Sequence, residues 1–354
     1  MIDLCLAIET SCDDTSVAVV RSDGYVLGVR SANQDVAHAP YGGIVPEIAC
    51  RNHSLNLLPL IDETLRQIGV DWKTLQGIAV TNRPGLIGSL IVGLVTAKSL
   101  SQAHGLPLIG VNHLEGHILA PFLRDESYGP VFDWAEPFLA LAVSGGHTSL
   151  YKVMGLGQYE VLGTTLDDAA GEAFDKFAKM AGLGFPGGVK IDRLSQGGNA
   201  HAYNFPRSML KEENYLMSFS GLKSSGQRLI ESLPDSEVEL RLPDLCASFQ
   251  EAIVDVLIGK LDRAVLKTGI KNVVITGGVS ANTRLRACAE EWARHRQVTL
   301  QVPPLRYCTD NAAMIGYAGI LRLNRGETSD LQLGPSPSSW PDDFIVHEDL
   351  LARR

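Results

Sequence analysis

Two imidazoles four residues apart, His113 and His117, follow Asn112 in "GVNHLEGHILAPF". Asparagine is a preferred helix cap, and on the helix it would start, positions i and i+4 share one face with backbones about 6 Å apart. That spacing suits two ligands of one metal ion. It equally suits two partly buried, hydrogen-bonded histidines, and the pair alone leaves both readings open. A zinc protease of the H-E-x-x-H kind is disfavoured: Leu114 follows the first histidine and Glu115 falls off the histidine face, so the motif lacks a general base for peptide hydrolysis. A two-histidine site needs a distant third ligand, a carboxylate by preference, and open positions for substrate. Asp310 in "YCTDNAAMIG" stands just before an expected helix, where loop ends gather. Its other reading is as the N-cap of that helix, worth about 1 kcal/mol.

Glycine turns form a second group. "VSGGHT" (Val143 to Thr148) and "TGGVSAN" (Thr276 to Asn282) each place a glycine pair directly after an apolar strand, where bare N–H groups can approach phosphate or ribose. No lysine follows at the Walker A position. Residues 167–188 mix carboxylates with a glycine-rich end, which suggests hydroxyl binding by Asp175 and close backbone approach at Gly187 and Gly188. Each taken singly is also a plain turn or a solvated helix face; several in one chain favour a nucleotide-like ligand in a cleft. Asp13 and Asp14 sit in the turn of the first hairpin, where they can face a cleft or bond their own backbone.

The elements that must position these groups alternate in character. "LCLAIETSCDDTSVAVV" is a strand, a polar turn and a returning strand, and "FLALAVSGGHTSLYKV" repeats the design, so the chain reads as a diverged duplication with one hairpin per lobe. Helical patterns alternate with the strands "GIAVT", "LPLIGV" and "KNVVITGGV", which predicts an α/β fold with largely parallel or mixed sheets. Helical patterns are also expected at about 242–267 and from about Asn311. A chain of 354 residues exceeds what one core usually fills. Two lobes are expected, at 1–120, with a helix near 311–325 as a candidate to complete it, and at 121–310. The tail 326–354, with "GPSPSSWPDD", is turn and linker chemistry for the surface. The helix after Pro84 carries small residues at Gly85, Ser89, Gly93 and Ala97 and is apolar nearly all round, so burial on every side is expected, in the core or against a protein partner.

Composition narrows the partners. The net charge is −9, so a nucleic acid would have to meet a local basic patch or a basic partner protein. The six cysteines contain no C-x-x-C and the start lacks a basic targeting segment, so reduced thiols and a cytoplasmic location are expected. "GLIGSLIVGLVTA" is too short and glycine-rich for a membrane span of about 18 residues.

"IETSCDDTSVA", "GGIVPEIACRNH", "RPGLIGSLIVG", "NHLEGH", "VSGGHT", "GEAFDK", "PGG", "FSGLKS", "GGVSANTRLR" and "CTDNAAMIG" occur in the order found in the TsaD family, which the chain resembles from about residue 4 to 325. These are bacterial tRNA N6-adenosine threonylcarbamoyltransferases, formerly called O-sialoglycoprotein endopeptidases. The resemblance implies an actin-like, Hsp70-like (ASKHA) two-lobed fold with duplicated ribonuclease H-like sheets and flanking helices. It implies transfer of threonylcarbamoyl from threonylcarbamoyl-AMP to N6 of adenosine 37 in tRNAs reading codons that begin with A, forming t6A. It also implies a metal at an interlobe cleft on His113, His117 and Asp310, usually iron, with zinc or magnesium as alternatives. Substrate positions would be Ala142, Val143, Ser144, Gly145, Gly146, Asp175, Gly188, Asp192 and Asn282, with Asp13 and Asp14 as catalytic candidates. Implied partners are a TsaB-like paralogue, for which the small-residue stripe is the candidate contact, and a TsaE-like ATPase.

Arg207, Lys211, Lys223, Arg228 and Arg306 are local basic candidates for tRNA. The chain departs from the family pattern at Arg83, where glycine is common, at Cys50, where serine is common, and in "FSGLKS" for FSGLKT. Arg83 does not take up a positive φ cheaply, so the loop before the helix is expected to differ. Rival readings are an ATP-using enzyme of the same superfamily, which would lack the histidine pair, and a non-catalytic scaffold, which would lack the metal positions.

Overall fold

The structure is a computed structural model that describes residues 1–41, 43–337 and 344–346. The chain divides into two compact units, residues 1–134 with 303–342 and residues 135–302 with 343–354. In chain order the first part comprises β1 (Leu4–Glu9), β2 (Thr15–Arg21), β3 (Val26–Ala32), α1 (Asp35–His38), α2 (Pro46–Ile68), β4 (Gly77–Arg83), α3 (Ile87–His104), β5 (Leu108–Asn112) and α4 (His113–Leu119). Then follow β6 (Phe138–Val143), β7 (Thr148–Gly155), β8 (Gln158–Thr164), α5 (Ala170–Met180), α6 (Gly187–Ser195), α7 (Ser220–Ser232), α8 (Asp235–Thr268), β9 (Asn272–Thr276), α9 (Thr283–Arg296) and β10 (Thr299–Gln301). α10 (Ala312–Asn324) returns to the first unit, and β11 (Phe344–Val346) joins the second.

The first sheet has the order β3-β2-β1-β4-β5; the second, read from its far end, is β8-β7-β6-β9-β10 with β11 added beyond β8. In each, the first hairpin and its continuation are antiparallel and the next two strands parallel. The expected duplication is therefore present strand for strand. β1 and β6 are central and buried nearly throughout, which is why they read as unbroken apolar runs.

The first unit is wider than the sequence suggested. It extends to residue 134 instead of 120 because Arg124 pairs with Tyr25 beside β3, and it resumes at 303 because Asp125 accepts from Arg306 and Tyr307. α10 packs its small residues on the sheet: a Cβ at Gly316 or Gly319 would strike Ala7 and Val20, or Ala79. Arg322 of α10 forms a two-point ion pair with the buried Glu115 of α4, at 2.7 and 3.0 Å. Glu115 thus has a structural partner, consistent with its expected position off the histidine face.

α3 corrects two expectations. Its small residues Ser89, Gly93 and Ala97 are buried, and Gly93 lies against the side chains of Thr10 and Ile8. Gly85 precedes the helix and packs on Ser11. The stripe therefore brings the helix down onto its own β1 and is not open to a partner. The opposite face exposes Ile87, Ile91 and Val95. A helix laid on one face of a sheet keeps a side turned outward, so the chain's own core does not bury α3 on every side. Arg83 ends β4 in extended backbone, and the only positive-φ residues other than glycine among those described are Met209 and Gln297.

Two other boundaries also moved. α8 begins at Asp235 instead of about 242, running through Pro243. Of the expected surface tail, Ser329 bridges to Leu108 and Ser336 donates to the carbonyl of Asn82, while residues 344–346 form a strand on β8. Residues 338–343 and 347–354 lie outside the described residues. Among the described residues no helix is long and apolar enough to cross a membrane.

Gly93→Val should overpack the α3–β1 contact and cost about 1–3 kcal/mol, lowering the melting temperature by several degrees. Ile91→Ser on the outward face should stay within about 0.5 kcal/mol. Thermal melts by circular dichroism distinguish the two faces, and equal losses would contradict the packing described.

Candidate metal centre and glycine loops

β5 runs directly into α4, and Asn112 caps the helix by accepting from the amide of Leu114 at 2.8 Å. His113 and His117 then project from one face, their rings edge to face with centroids 4.6 Å apart. Asp310 is delivered from the other end of the unit. It is not the cap of α10, because Asn311 accepts from Met314 N and fills that role. Its carboxylate is instead 3.1 Å from His117 Nε2 and 3.4 Å from His113 Nε2. The three ligand atoms all lie within 4.8 Å of one another. Ligands bound tetrahedrally at about 2.0–2.1 Å are separated by roughly 3.3 Å, so two of these gaps already match a shared ion.

Glu9, at the end of β1, is the functional residue that sequence reasoning missed. It is 1% exposed, and its Oε2 sits 2.9 Å from His113 Nδ1. Thr81 on β4 donates to the same oxygen and the amide of Ser11 to the other. A ring that gives Nδ1–H to Glu9 and loses its other proton would present its Nε2 lone pair to a metal ion. This is the carboxylate–histidine pairing that orients metal ligands. The available signal was a carboxylate closing an otherwise apolar strand in "LCLAIE".

The charges around the ring favour a cation there. Burial would lower the His113 pKa, but Asp310 and Glu9 outweigh it and hold the ring well above its ordinary value. Burial would raise Asp310, yet the two histidines hold it well below the usual carboxylate range. Glu9 is likewise lowered, because His113 and Thr81 outweigh its burial. A positive charge is thus favoured at the cluster.

Asp13 and Asp14 follow Ser11 and Cys12. Burial, then the fields of Asp13 and Asp310, push Asp14 up to about 7; Asn33 donates to it at 2.9 Å. Burial also raises Asp13. Both feel Asp310 but lie outside the ligand cluster. His53 fixes this turn: its lowered pKa, set by burial, keeps the ring neutral, with Nε2 donating to Cys12 O at 2.9 Å and Nδ1 accepting from Thr15 at 2.7 Å.

In the second unit the glycine loops occupy the same topological place, the carboxyl ends of parallel strands, where α/β sheets bind ligands. Ala142 and Val143 are buried in β6, Ser144 closes the turn by donating its amide to His147 O, and Gly145 and Gly146 are exposed with open space around them. Just after the adjacent β9, Gly277 has φ +88° and a Cβ there would strike the Val143 carbonyl, so only glycine fits. Other expected substrate residues already have structural work. Asp175 accepts from Gly187 N at 2.7 Å. Asp192 accepts from the amide and hydroxyl of Thr283, and neighbouring Asn282 caps α9 while donating to Gln250. Gly188 is half-buried, and a Cβ there would make only an ordinary contact with Phe174. Of the basic candidates, Arg207 pairs with Asp255, Lys223 with Asp168 and Arg306 with Asp125, whereas Lys211 and Arg228 are exposed.

Two duplicated sheets of this order define an ASKHA-type protein. Full-length HypF in its phosphate- and nucleotide-bound form superposes with a TM-score of 0.59 at 15% identity, covering 92% of this chain and 47% of that one, which supports the fold alone. The TsaD family model, described as tRNA N6-adenosine threonylcarbamoyltransferase, matches residues 25–317. A protein of that name from Bdellovibrio bacteriovorus is 65% identical over 344 residues, covering 97% of this chain and 100% of its own. Another from Trichlorobacter lovleyi is 46% identical over 346 residues, covering 98% and 99%. The chain belongs to the TsaD family and is a transferase.

Glu9→Gln should weaken divalent metal affinity about 10- to 100-fold, the usual cost of losing a carboxylate behind a histidine ligand. Titration of the metal-depleted protein, followed by metal analysis, measures this without any assay of turnover. Undiminished affinity would show that Glu9 does not orient His113.

Proposed function

We propose that this chain transfers threonylcarbamoyl from threonylcarbamoyl-AMP to N6 of adenosine 37 in tRNAs reading codons that begin with A, forming t6A. The observation that carries the reading is the convergence of His113, His117 and Asp310, with Glu9 behind them, in a chain of this family. Two nitrogens and one carboxylate suit iron or zinc better than magnesium, which favours oxygen ligands. The same preference counts against a magnesium–ATP enzyme. A divalent ion held there would supply Lewis acidity and a template for carbonyl or phosphate oxygens.

The rest of the chemistry falls to the chain. The exocyclic amine is a weak nucleophile, but the carbamoyl–phosphate anhydride is activated, so the task is positioning and charge stabilisation. The N6–carbon bond forms, the carbon–oxygen bond to phosphate breaks, AMP leaves with the electron pair, and N6 gives up a proton. The backbone amides of the exposed Gly145 and Gly146 suit oxygens that gain negative charge. Asp14, pushed up to about 7, is suited to orient the amine or accept its proton near neutral pH.

A TsaB-like paralogue and a TsaE-like ATPase are the proposed partners, and the cytosol the place of work. The small-residue stripe is spent on β1, so the outward face of Ile87, Ile91 and Val95 replaces it as the paralogue contact.

Depletion of the chain in its own cell, with mass spectrometry of digested tRNA, tests the reaction. t6A should fall and return with wild type but not with His113→Ala or Asp310→Ala, each of which should also lose bound metal. Full recovery by either metal-free variant would sink the metal assignment, and unchanged t6A on depletion would sink the reaction.

A further inference from the structure

Between β8 and α8, within the second unit, the chain from Asn199 to Tyr215 contains no helix or strand, yet it is firmly held. Lys260 of α8 is fully buried and its ammonium donates to the carbonyls of Glu212 and Asn214 and to the Asn214 side chain, at 3.3, 2.8 and 3.2 Å. Arg263, one turn on, donates to the carbonyls of Leu210, Glu212 and Asn214. Leu210 packs where Gly259 lacks a side chain, and Met209 is held at φ +62°, a conformation that persists only where its surroundings dictate it. One buried and one half-buried cation therefore fasten this loop by its carbonyl groups, with no carboxylate among those acceptors to neutralise them.

The outer side of the loop and one face of α7 enclose an open cleft of about 770 Å³. Arg207, already paired with Asp255, and Lys211 line it from the loop, Ser225 and Arg228 from α7, with Glu212 the one carboxylate among the lining side chains. Glu212 is turned back to accept from Asn214. Lys211 and Arg228 are exposed. Phe205, the aromatic of the lining, is 2% exposed and offers no ring for stacking.

We propose that this cleft binds the phosphodiester backbone of the tRNA substrate. The proposal rests on the reading that tRNA is the acceptor. In a chain of net charge −9 the distant field repels a polyanion, so binding needs a place where cations outnumber carboxylates, and here the surplus is backed by Lys260 and Arg263. Exposed ammonium and guanidinium tips gain little from one phosphate but accumulate affinity along a polymer, through release of its counterions. Without a stacking platform the cleft is indifferent to base identity, as a backbone contact must be if tRNAs of several sequences are to be accepted. Arg228 lies eight residues beyond Ser220 on α7, about 12 Å along its axis, so the cleft continues the helix that carries the "FSGLKS" segment.

The test is binding of labelled tRNA, by fluorescence anisotropy, to the chain in its complex with its cellular partners, over about 50–200 mM salt. Lys211→Ala/Arg228→Ala should weaken binding at least tenfold at the low-salt end and reduce the slope of log affinity against log salt by about 1.5 to 2, the value for two lost phosphate contacts. The same variant should keep its metal content and its melting temperature. Unchanged affinity and slope would overturn the proposal, as would a loss confined to AMP or inorganic phosphate, which would make the cleft a small-anion site. Cellular t6A separates the two readings: if depletion of the chain abolishes t6A and the double variant binds tRNA like wild type, only the cleft fails. If the wild-type complex binds no tRNA and depletion leaves t6A intact, both fail.

Discussion

A buried imidazole held between two carboxylates, Glu9 on one side and Asp310 on the other, is the constraint around which the first unit is arranged. Charges taken out of water are costly unless each is paired and hydrogen-bonded, and removing one partner leaves the others exposed to that cost. Here every member is served: Glu9 by Thr81 and the Ser11 amide, His113 by both acids, Asp310 by both histidines. Three parallel strands must agree in register for this to happen. β1 aligns Ile8 with Val80 of β4, and β4 aligns Thr81 with Val111 of β5, which ends the three strands level with one another. A slip of one residue in β1 would turn Glu9 to the opposite face of the sheet and leave His113 without its acceptor.

The duplicated topology is used in two chemically different ways. In the first unit the strand ends carry side chains that can hold a cation, and the next element is a helix that supplies two of the three ligands. In the second unit the equivalent ends carry glycines, and Gly277 must be glycine for the two loops to fit side by side. Side-chain ligands bring charge, whereas bare backbone brings oriented N–H groups suited to anionic oxygen. One ancestral strand order thus yields a cation-favouring end and an anion-favouring end, each within its own unit.

Much of this was legible in the sequence because it depends on local period and spacing. The hairpins, the capped histidine pair and the glycine turns are each short patterns with a direct geometric meaning, and the structure places them at strand ends as expected. Asp310 was legible as a loop carboxylate, but whether it capped α10 turned on its neighbour Asn311 taking that role. Glu9 was not legible as a partner of His113, because a contact across 104 residues depends on register between non-adjacent strands. The stripe from Gly85 to Ala97 was seen correctly and assigned wrongly. Small residues mark close approach without saying to what, and here the approached surface is Thr10 and Ile8 of the same chain.

Net charge was the least informative of the global quantities, for a physical reason. A guanidinium in a two-point pair with a carboxylate contributes almost no field beyond its neighbours, and Arg284 with Glu251, Arg296 with Asp262 and Arg322 with Glu115 are all spent in this way. Cations that donate to carbonyl oxygens keep their charge, since a peptide dipole orients toward it without cancelling it. Lys260 and Arg263 belong to this second kind, and the burial of Lys260 lets its field extend further than that of a solvated lysine. The balance of −9 over the chain and a cation surplus around one loop are therefore compatible. The count of acids and bases fixes the field at a distance, and the choice of hydrogen-bond acceptor fixes it within the roughly 10 Å over which an exposed phosphate is felt.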